Sequence, residues 1–314
     1  MDFHTEIDQL RRELEERGVA LETWSDTEVL LWQCILFGAA AVENPGYRRT
    51  VKILENNGVE CIPVDIDKGG LPPRALEASG ARVACITPSH QFPTGVTMPA
   101  PRRAQLLKWA MAAPDRWIIE DDYDSEFRFD IRPLPSLQGM AGEDGPVIYL
   151  TTFSKSLAPS IRMAAMVLPR PLLGRWQAMY GSYSSTVSRF EQETLGRFIR
   201  DGHFTRHLAR LRSQYKQRME TLAEALEAAF PGRVELQGRH TGLHLLLTLK
   251  DGPGETAMVD RARAAGVRLE GLRGYYLARP EHCPENTVVV GYAALPPGDI
   301  PALAEALRTA WQKN

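Results

Sequence analysis

Cysteine is scarce in this chain: four residues in 314 (Cys34, Cys61, Cys85 and Cys283), with no C-x-x-C pair and no Cys–His cluster. That excludes a disulfide scaffold or a thiolate zinc site and leaves isolated, reduced thiols. Long apolar runs are lacking too. The longest, Val29 to Val42, is 14 residues broken by Gln33, short of the roughly 20 that a membrane span needs. The N-terminal MDFHTEIDQLRRELEERG has no apolar stretch of the kind a secretory signal requires. Nor is there an excess of one charge: 37 Lys+Arg against 39 Asp+Glu leave a net charge of −2, which gives no whole-chain electrostatic footprint for nucleic acid. Internal repeats and low-complexity tracts are absent. Of seven histidines, His203–Phe–Thr–Arg–His207 lacks the glutamate of a zincin helix. His240 and His244 share a face of a strand-like stretch, so no metal site is expected. The expectation is a soluble, cytoplasmic protein that does not touch membranes. Its length predicts two domains.

From residue 39 onward, short apolar runs alternate with helical patterns. The runs are AAAVEN (39–44), VECIPVDI (59–66), ARVACITPS (81–89), RWIIEDD (116–122) and PVIYLTTFS (146–154), separated by helices over Tyr47–Asn56, Leu71–Ala78 and Arg102–Ala112. Buried strands separated by helices predict an α/β fold with a mixed, mostly parallel sheet covered on both faces. The remainder reads as a smaller α+β unit. A long helix over 202–229 is followed by VELQG, LHLLLTL, a helix over Thr256–Ala265, VRLEGL, TVVVGYA and a last helix at Ile300–Gln312. The predicted division is 1–202, an N-terminal segment with the large domain, and 203–314, the small domain.

Ligands of such sheets bind outside the carboxyl ends of the strands, so the chemistry is sought immediately after each run. TTFSKSLAPSIR (151–162) puts Lys155 directly after a strand, with Thr152, Ser154 and Arg162 nearby. A lysine there is suited to a Schiff base with an aldehyde cofactor, and the hydroxyls and arginine to a phosphate. Equally, it reads as a loop lysine beside helix-capping serines. IIEDDYDSEF (118–127) ends a strand with Asp121 and Asp122, followed by Tyr123. A carboxylate here would keep a pyridine nitrogen protonated and a tyrosine would hold a phenolic oxygen; an acidic turn facing solvent or Mg²⁺ is the alternative. Successive strand residues alternate faces, so only one of the two acids can meet a ring, and Asp121 shares its face with Tyr123. TPSHQFPTG (87–95) carries His90. ENPGYRRT (43–50) carries Tyr47 and Arg49, suited to a ring face and a carboxylate, or else a solvated first helical turn.

Taken in order, PGYRR, SHQFPTG, EDDYDSEF and FSKSLAPSIR resemble the fold-type-I pyridoxal-phosphate proteins of the class I/II aminotransferase superfamily. More narrowly, they resemble the aminotransferase-like domain of MocR-type regulators of the GntR superfamily. The resemblance extends from about residue 40 to the end. It implies pyridoxal 5'-phosphate as cofactor, with Lys155 forming its imine. Asp121 matches the partner of the pyridine nitrogen, Tyr123 the hydroxyl beside the ring oxygen, and Thr152, Ser154 and Arg162 the phosphate ligands. Tyr47 matches the aromatic over the ring, Arg49 the arginine meeting a substrate or effector carboxylate, and His90 a residue of the turn approaching the ring. It also implies a homodimer that binds a small amino-containing ligand or amino acid and reaches DNA only through a domain absent from this chain. An active aminotransferase is the second reading and a scaffold that no longer binds cofactor the third.

This sequence departs from the family pattern at three places. The winged helix-turn-helix is missing. The Ser25–Asp26–Thr27–Glu28 stretch stands where relatives have a Gly-containing turn, and its two acids would repel a phosphate. Val289 occupies the place of an aminotransferase arginine, for which Arg273 or Arg49 would have to substitute. Weak cofactor binding is therefore expected.

Overall fold

The structure is a computed structural model and describes residues 38–130 and 134–312. The predicted runs form β1 (Ala39–Asn44), β2 (Glu60–Asp65), β3 (Val83–Ile86), β4 (Trp117–Asp122) and β5 (Val147–Thr152), joined at the edge by β6 (Ala164–Val167). Their order is β2-β1-β3-β4-β5-β6. The first five are parallel; β6 runs antiparallel to β5, with Ala164 opposite Thr152.

The connections are α1 (Arg48–Asn56), α2 (Pro73–Ser79), α3 (Ala100–Met111) and α4 (Leu137–Ala141), with prolines in the first turns of α2 and α3, where the missing N–H costs nothing. Alternate strand residues serve opposite faces. Ala40, Val42, Val83, Trp117, Ile119 and Ile148 pack under α1 through Val51 and Leu54. Ala41, Ala84, Ile86, Ile118 and Val147 pack under α2 to α4 through Leu76, Leu106 and Leu137. A sheet buried on both sides is what the continuous apolar runs predict.

After α5 (Arg170–Tyr180) and α6 (Arg189–Arg200), the 27-residue α7 (His203–Ala229) leads into a second sheet. Its strands β7 (Val234–Gln237), β8 (His244–Leu249), β9 (Glu270–Gly271) and β10 (Thr287–Gly291) lie antiparallel in the order β7-β8-β10-β9. Leu245, Leu247, Leu249, Val288 and Val290 face α7, α8 (Glu255–Ala264) and α9 (Ile300–Gln312) through Leu222, Leu226, Met258, Ala262 and Leu307.

Sequence reasoning missed β6, α5 and α6. β6 is an edge strand with three of four residues exposed, and α6 buries none of its residues, so neither carries the core signal that periodicity detects. The stretch VRLEGL contributes only Glu270 and Gly271 to the sheet.

Candidate functional site

The parallel topology carries four motif-bearing loops to one edge, because β1, β3, β4 and β5 are consecutive neighbours whose carboxyl ends point the same way. The Ser25–Glu28 stretch lies outside the described residues.

Asp121 and Asp122 end β4 on opposite faces. Asp122 is buried and its carboxylate is saturated: it accepts from the Ser125 amide (3.1 Å), the Ser125 hydroxyl (2.6 Å) and the Tyr149 hydroxyl (2.7 Å). Asp121 accepts no hydrogen bond from the described residues and lines a cavity together with Glu43, Tyr47, Thr50, Thr87 and Leu150. Desolvation, reinforced by Asp122 and Asp124, pushes its carboxyl up to about 7. Glu43, from β1, shares that cavity. One of its oxygens accepts from the Thr87 amide (3.0 Å) and hydroxyl (2.6 Å), the other has no partner, and burial pushes this carboxyl up to about 7 as well. Two half-neutralised acids under one cavity form a site that gains when a cation is placed above them.

Of the other predicted residues, Tyr47 lines this cavity, and Thr152, Ser154, Lys155 and Arg162 follow the neighbouring strand β5. Tyr47, at the start of α1, is exposed and packs its ring edge-on to Phe92 at 5.4 Å. Thr152 and Ser154 meet at the β5 exit with their hydroxyls 3.0 Å apart. Arg162 has a left-handed backbone (φ 50°) two residues before β6, whose first residue pairs with Thr152. That brings the arginine back beside the two hydroxyls. Arg162 and Lys155 are exposed and make no hydrogen bond or ion pair among the described residues. Lys155 is near enough to Asp124 and His244 to bear on both electrostatically, as the last and smallest of their influences.

Two predicted residues lie elsewhere. Arg49 lines a neighbouring cavity of about 450 Å³ with Arg48, Lys52, Glu55 and Cys61, separated from the Asp121 cavity by Val51, which borders both. His90 is only 1% exposed and lies behind Tyr123 rather than on the cavity wall. Its Nδ1 is 2.8 Å from the Asp124 carboxylate, and the Tyr123 hydroxyl donates to its carbonyl at 2.9 Å.

Several residues of this centre were not singled out from the sequence. Asp124 lies inside EDDYDSEF, where nothing local distinguishes it from its acidic neighbours. His244, at the start of β8, packs its ring 4.5 Å from that of His90 and donates from Nε2 to the Pro93 carbonyl at 3.0 Å. Its partners lie over 140 residues away, beyond any local pattern. His90, Asp124 and His244 bring polar atoms within 4.8 Å of one another, although His90 Nδ1 and His244 Nε2 are already committed to hydrogen bonds. Small-sheet segments close the β1 and β3 exits: Tyr275 lies edge-on to Phe92 at 5.0 Å, and Asn44 holds Leu277 and Ala278 through three hydrogen bonds. Val289 is buried against Leu246, Leu272 and Cys283. Burial pushes the thiols of Cys61 and Cys283 up to about 12, the behaviour of packed, inert cysteines.

A mostly parallel sheet in 2-1-3-4-5 order, with a lysine, an acid pair and hydroxyls at its carboxyl edge, defines an aminotransferase-like α/β protein. The chain belongs to the class I and II aminotransferase family, whose model matches residues 29–307. It is 38% identical over 270 residues to the HTH-type transcriptional regulator YdeL of Bacillus subtilis, covering 86% of this chain and 57% of that protein. It is 34% identical to the pyridoxine biosynthesis transcriptional regulator PdxR of Corynebacterium glutamicum, over 81% of this chain and 53% of the regulator. The chain thus spans little more than half the length of these regulators and matches their aminotransferase-like region. Among solved structures it is similar to LysN, the α-aminoadipate aminotransferase of Thermus thermophilus complexed with N-(5'-phosphopyridoxyl)-L-leucine. That pair has a TM-score of 0.76 and 27% identity over 90% of this chain and 75% of that one.

Proposed function

We propose that this chain is the pyridoxal 5'-phosphate-binding, effector-sensing and dimerising domain of a MocR-type transcriptional regulator, reaching DNA through a separate domain. The observation that carries the reading is the placement of four motif-bearing loops at one sheet edge. Asp121, which accepts no hydrogen bond among the described residues, ends β4. The neighbouring β5 exit carries Thr152, Ser154, Lys155 and Arg162, the last two without a hydrogen bond or ion pair among the described residues. These residues fit the cofactor. Asp121 would hold a protonated pyridine nitrogen, and the raised carboxyl would be restored to its anionic form by that cation. Thr152, Ser154 and Arg162 would hold the phosphate. Tyr47 would cover the ring, Tyr123 would meet its phenolic oxygen, and Lys155 would supply the amine. The cofactor supplies an electrophilic carbon to which an amino group attaches reversibly. Arg49, with Arg48 and Lys52 beside it, would attract the ligand's carboxylate.

The likeness to regulators at 34–38% identity favours sensing over turnover. A working aminotransferase is the second reading, favoured by 30% identity to the 2-aminoadipate transaminase of Thermus thermophilus over 85% of this chain. We further propose that the chain divides near residue 202, works as a cytoplasmic homodimer and binds a small amino compound. No helix among the described residues is long and apolar enough to cross a membrane. The test is the absorption spectrum of the protein loaded with cofactor during addition of a panel of amino acids. A sensor gives a spectral change that reverses on dialysis. Steady accumulation of the pyridoxamine form with release of keto acid identifies an aminotransferase instead.

A further inference from the structure

Behind Tyr123 lies a buried hydrogen-bonded group that the proposed cofactor contacts do not use. His90 and Asp124 are each only 1% exposed, one from the turn after β3 and the other from the loop after β4. His90 Nδ1 is 2.8 Å from Asp124 Oδ2 and 3.0 Å from the Tyr123 hydroxyl oxygen, and that hydroxyl donates to the His90 carbonyl at 2.9 Å. On the far side of the imidazole, Nε2 has no partner. There the ring edge meets Gly242, where a Cβ would lie 1.8 Å from His90 Cε1. The His244 ring lies tilted at 39° against it, 4.5 Å between centroids, with Nε2 committed to Pro93, and Lys155 bears on both Asp124 and His244.

These contacts determine where the proton sits. A proton on Nε2 would leave a buried donor unpaired, which costs more than an unpaired acceptor lone pair. A proton on Nδ1 is satisfied by Asp124 and, at longer range, by the Tyr123 oxygen. We infer that His90 and Asp124 are positioning residues: Asp124 holds His90 as the Nδ1–H tautomer, and Nδ1–H, by donating to the Tyr123 oxygen rather than competing for its proton, leaves that single proton free to turn from the His90 carbonyl to the phenolic oxygen of a bound cofactor. A buried carboxylate that accepts from Nδ1–H fixes the tautomer of an imidazole; here Tyr123 meets that same Nδ1, so the tautomer decides whether Nδ1 donates to the phenol oxygen or competes for its proton. If Asp124 were an amide, its N–H would donate to Nδ1. The imidazole proton would move to Nε2, and Nδ1 would no longer donate to Tyr123.

This inference rests on the cofactor reading for its consequence but not for its geometry, so two measurements separate them. The first is nitrogen-15 NMR of histidine in the cofactor-free protein. The expected result is an Nδ1–H signature for His90 that switches to Nε2–H in Asp124→Asn. A doubly protonated or Nε2–H His90 in the parent overturns the inference whatever the cofactor does. The second follows the pH midpoint of the visible band after cofactor loading. Losing the Tyr123 donor destabilises the ring oxyanion, so Asp124→Asn is expected to raise the midpoint by about one pH unit, and Tyr123→Phe by a similar amount. His90→Asn, which keeps a donor facing Asp124 and Tyr123, is expected to restore most of the parent midpoint, whereas His90→Leu is not. Circular dichroism identifies variants that have lost the fold; if His90→Leu is among them, Asp124→Asn decides. An unmoved midpoint in a folded, loaded Asp124→Asn overturns the inference. A parent protein that takes up no cofactor overturns the proposed function instead, and the NMR result still stands.

Discussion

At the scale of single residues, Asp121 shows how burial prepares a site for its ligand. Its neighbour Asp122 is held by three hydrogen bonds, while Asp121 accepts none among the described residues and is pushed up to about 7 by desolvation and nearby acids. A carboxyl raised in the folded state binds more protons there than in the unfolded chain between about pH 4 and 7, so stability contributed by this group falls as pH rises through that window. Replacing Asp121 by Asn should leave the melting temperature of the cofactor-free protein nearly unchanged at pH 4.5 and raise it at pH 8. Scanning calorimetry at both values checks this. Glu43, still present, keeps part of the pH slope. Asp121 and Tyr123 were accessible from the sequence because strand alternation assigns faces. Glu43 and His244 were not: their importance arises from partners 44 and 151 residues away.

At the scale of elements, β4 organises both sides of the sheet. Its Glu120, fully buried on the face opposite the site, accepts from the Leu137 and Gln138 amides at 3.0 Å and lies 3.7 Å from the Arg103 guanidinium. It therefore caps α4 and fixes the far end of the loop that starts with Tyr123. Breaking a buried pair by removing one partner costs about 3–5 kcal/mol. Glu120→Ala should lower unfolding free energy by that amount in urea titrations, while Arg103→Met with Glu120→Leu should cost much less. The strands themselves were legible to within two or three residues at each end, because both faces of the sheet are buried and the apolar runs are continuous. The edge strand β6 and helix α6 were not, because they bury little within this chain.

Those exposed elements acquire meaning for the whole molecule. Val167 of β6, Leu173 of α5, Tyr183, and Phe190 and Ile199 of α6 are exposed hydrophobics on one stretch of chain, with Phe190 80% accessible. If these exposed side chains form one contiguous patch in a pair of copies, they mark an interaction site, and the proposed pairing is tested there. Phe190→Asp places a charge in that patch and should shift the sedimentation coefficient from dimer to monomer, with far-ultraviolet circular dichroism unchanged. The second, antiparallel sheet was readable from the switch between buried runs and a long helix followed by alternating strands. The docking of the small sheet onto the β1 and β3 exits, through Asn44, Phe92, His244 and Tyr275, was not readable, since no local pattern encodes a contact between distant loops.

The central claim is that Lys155 holds the cofactor at this edge of the sheet. Its side chain is exposed and makes no hydrogen bond or ion pair among the described residues, so Lys155→Ala should fold normally, changing stability by no more than about 0.5 kcal/mol. The deciding measurement is borohydride reduction of the protein loaded with pyridoxal 5'-phosphate, followed by peptide mass spectrometry. The account predicts a single phosphopyridoxyl modification on Lys155 that disappears in Lys155→Ala. Modification spread over surface lysines, or undiminished in that variant, would contradict it.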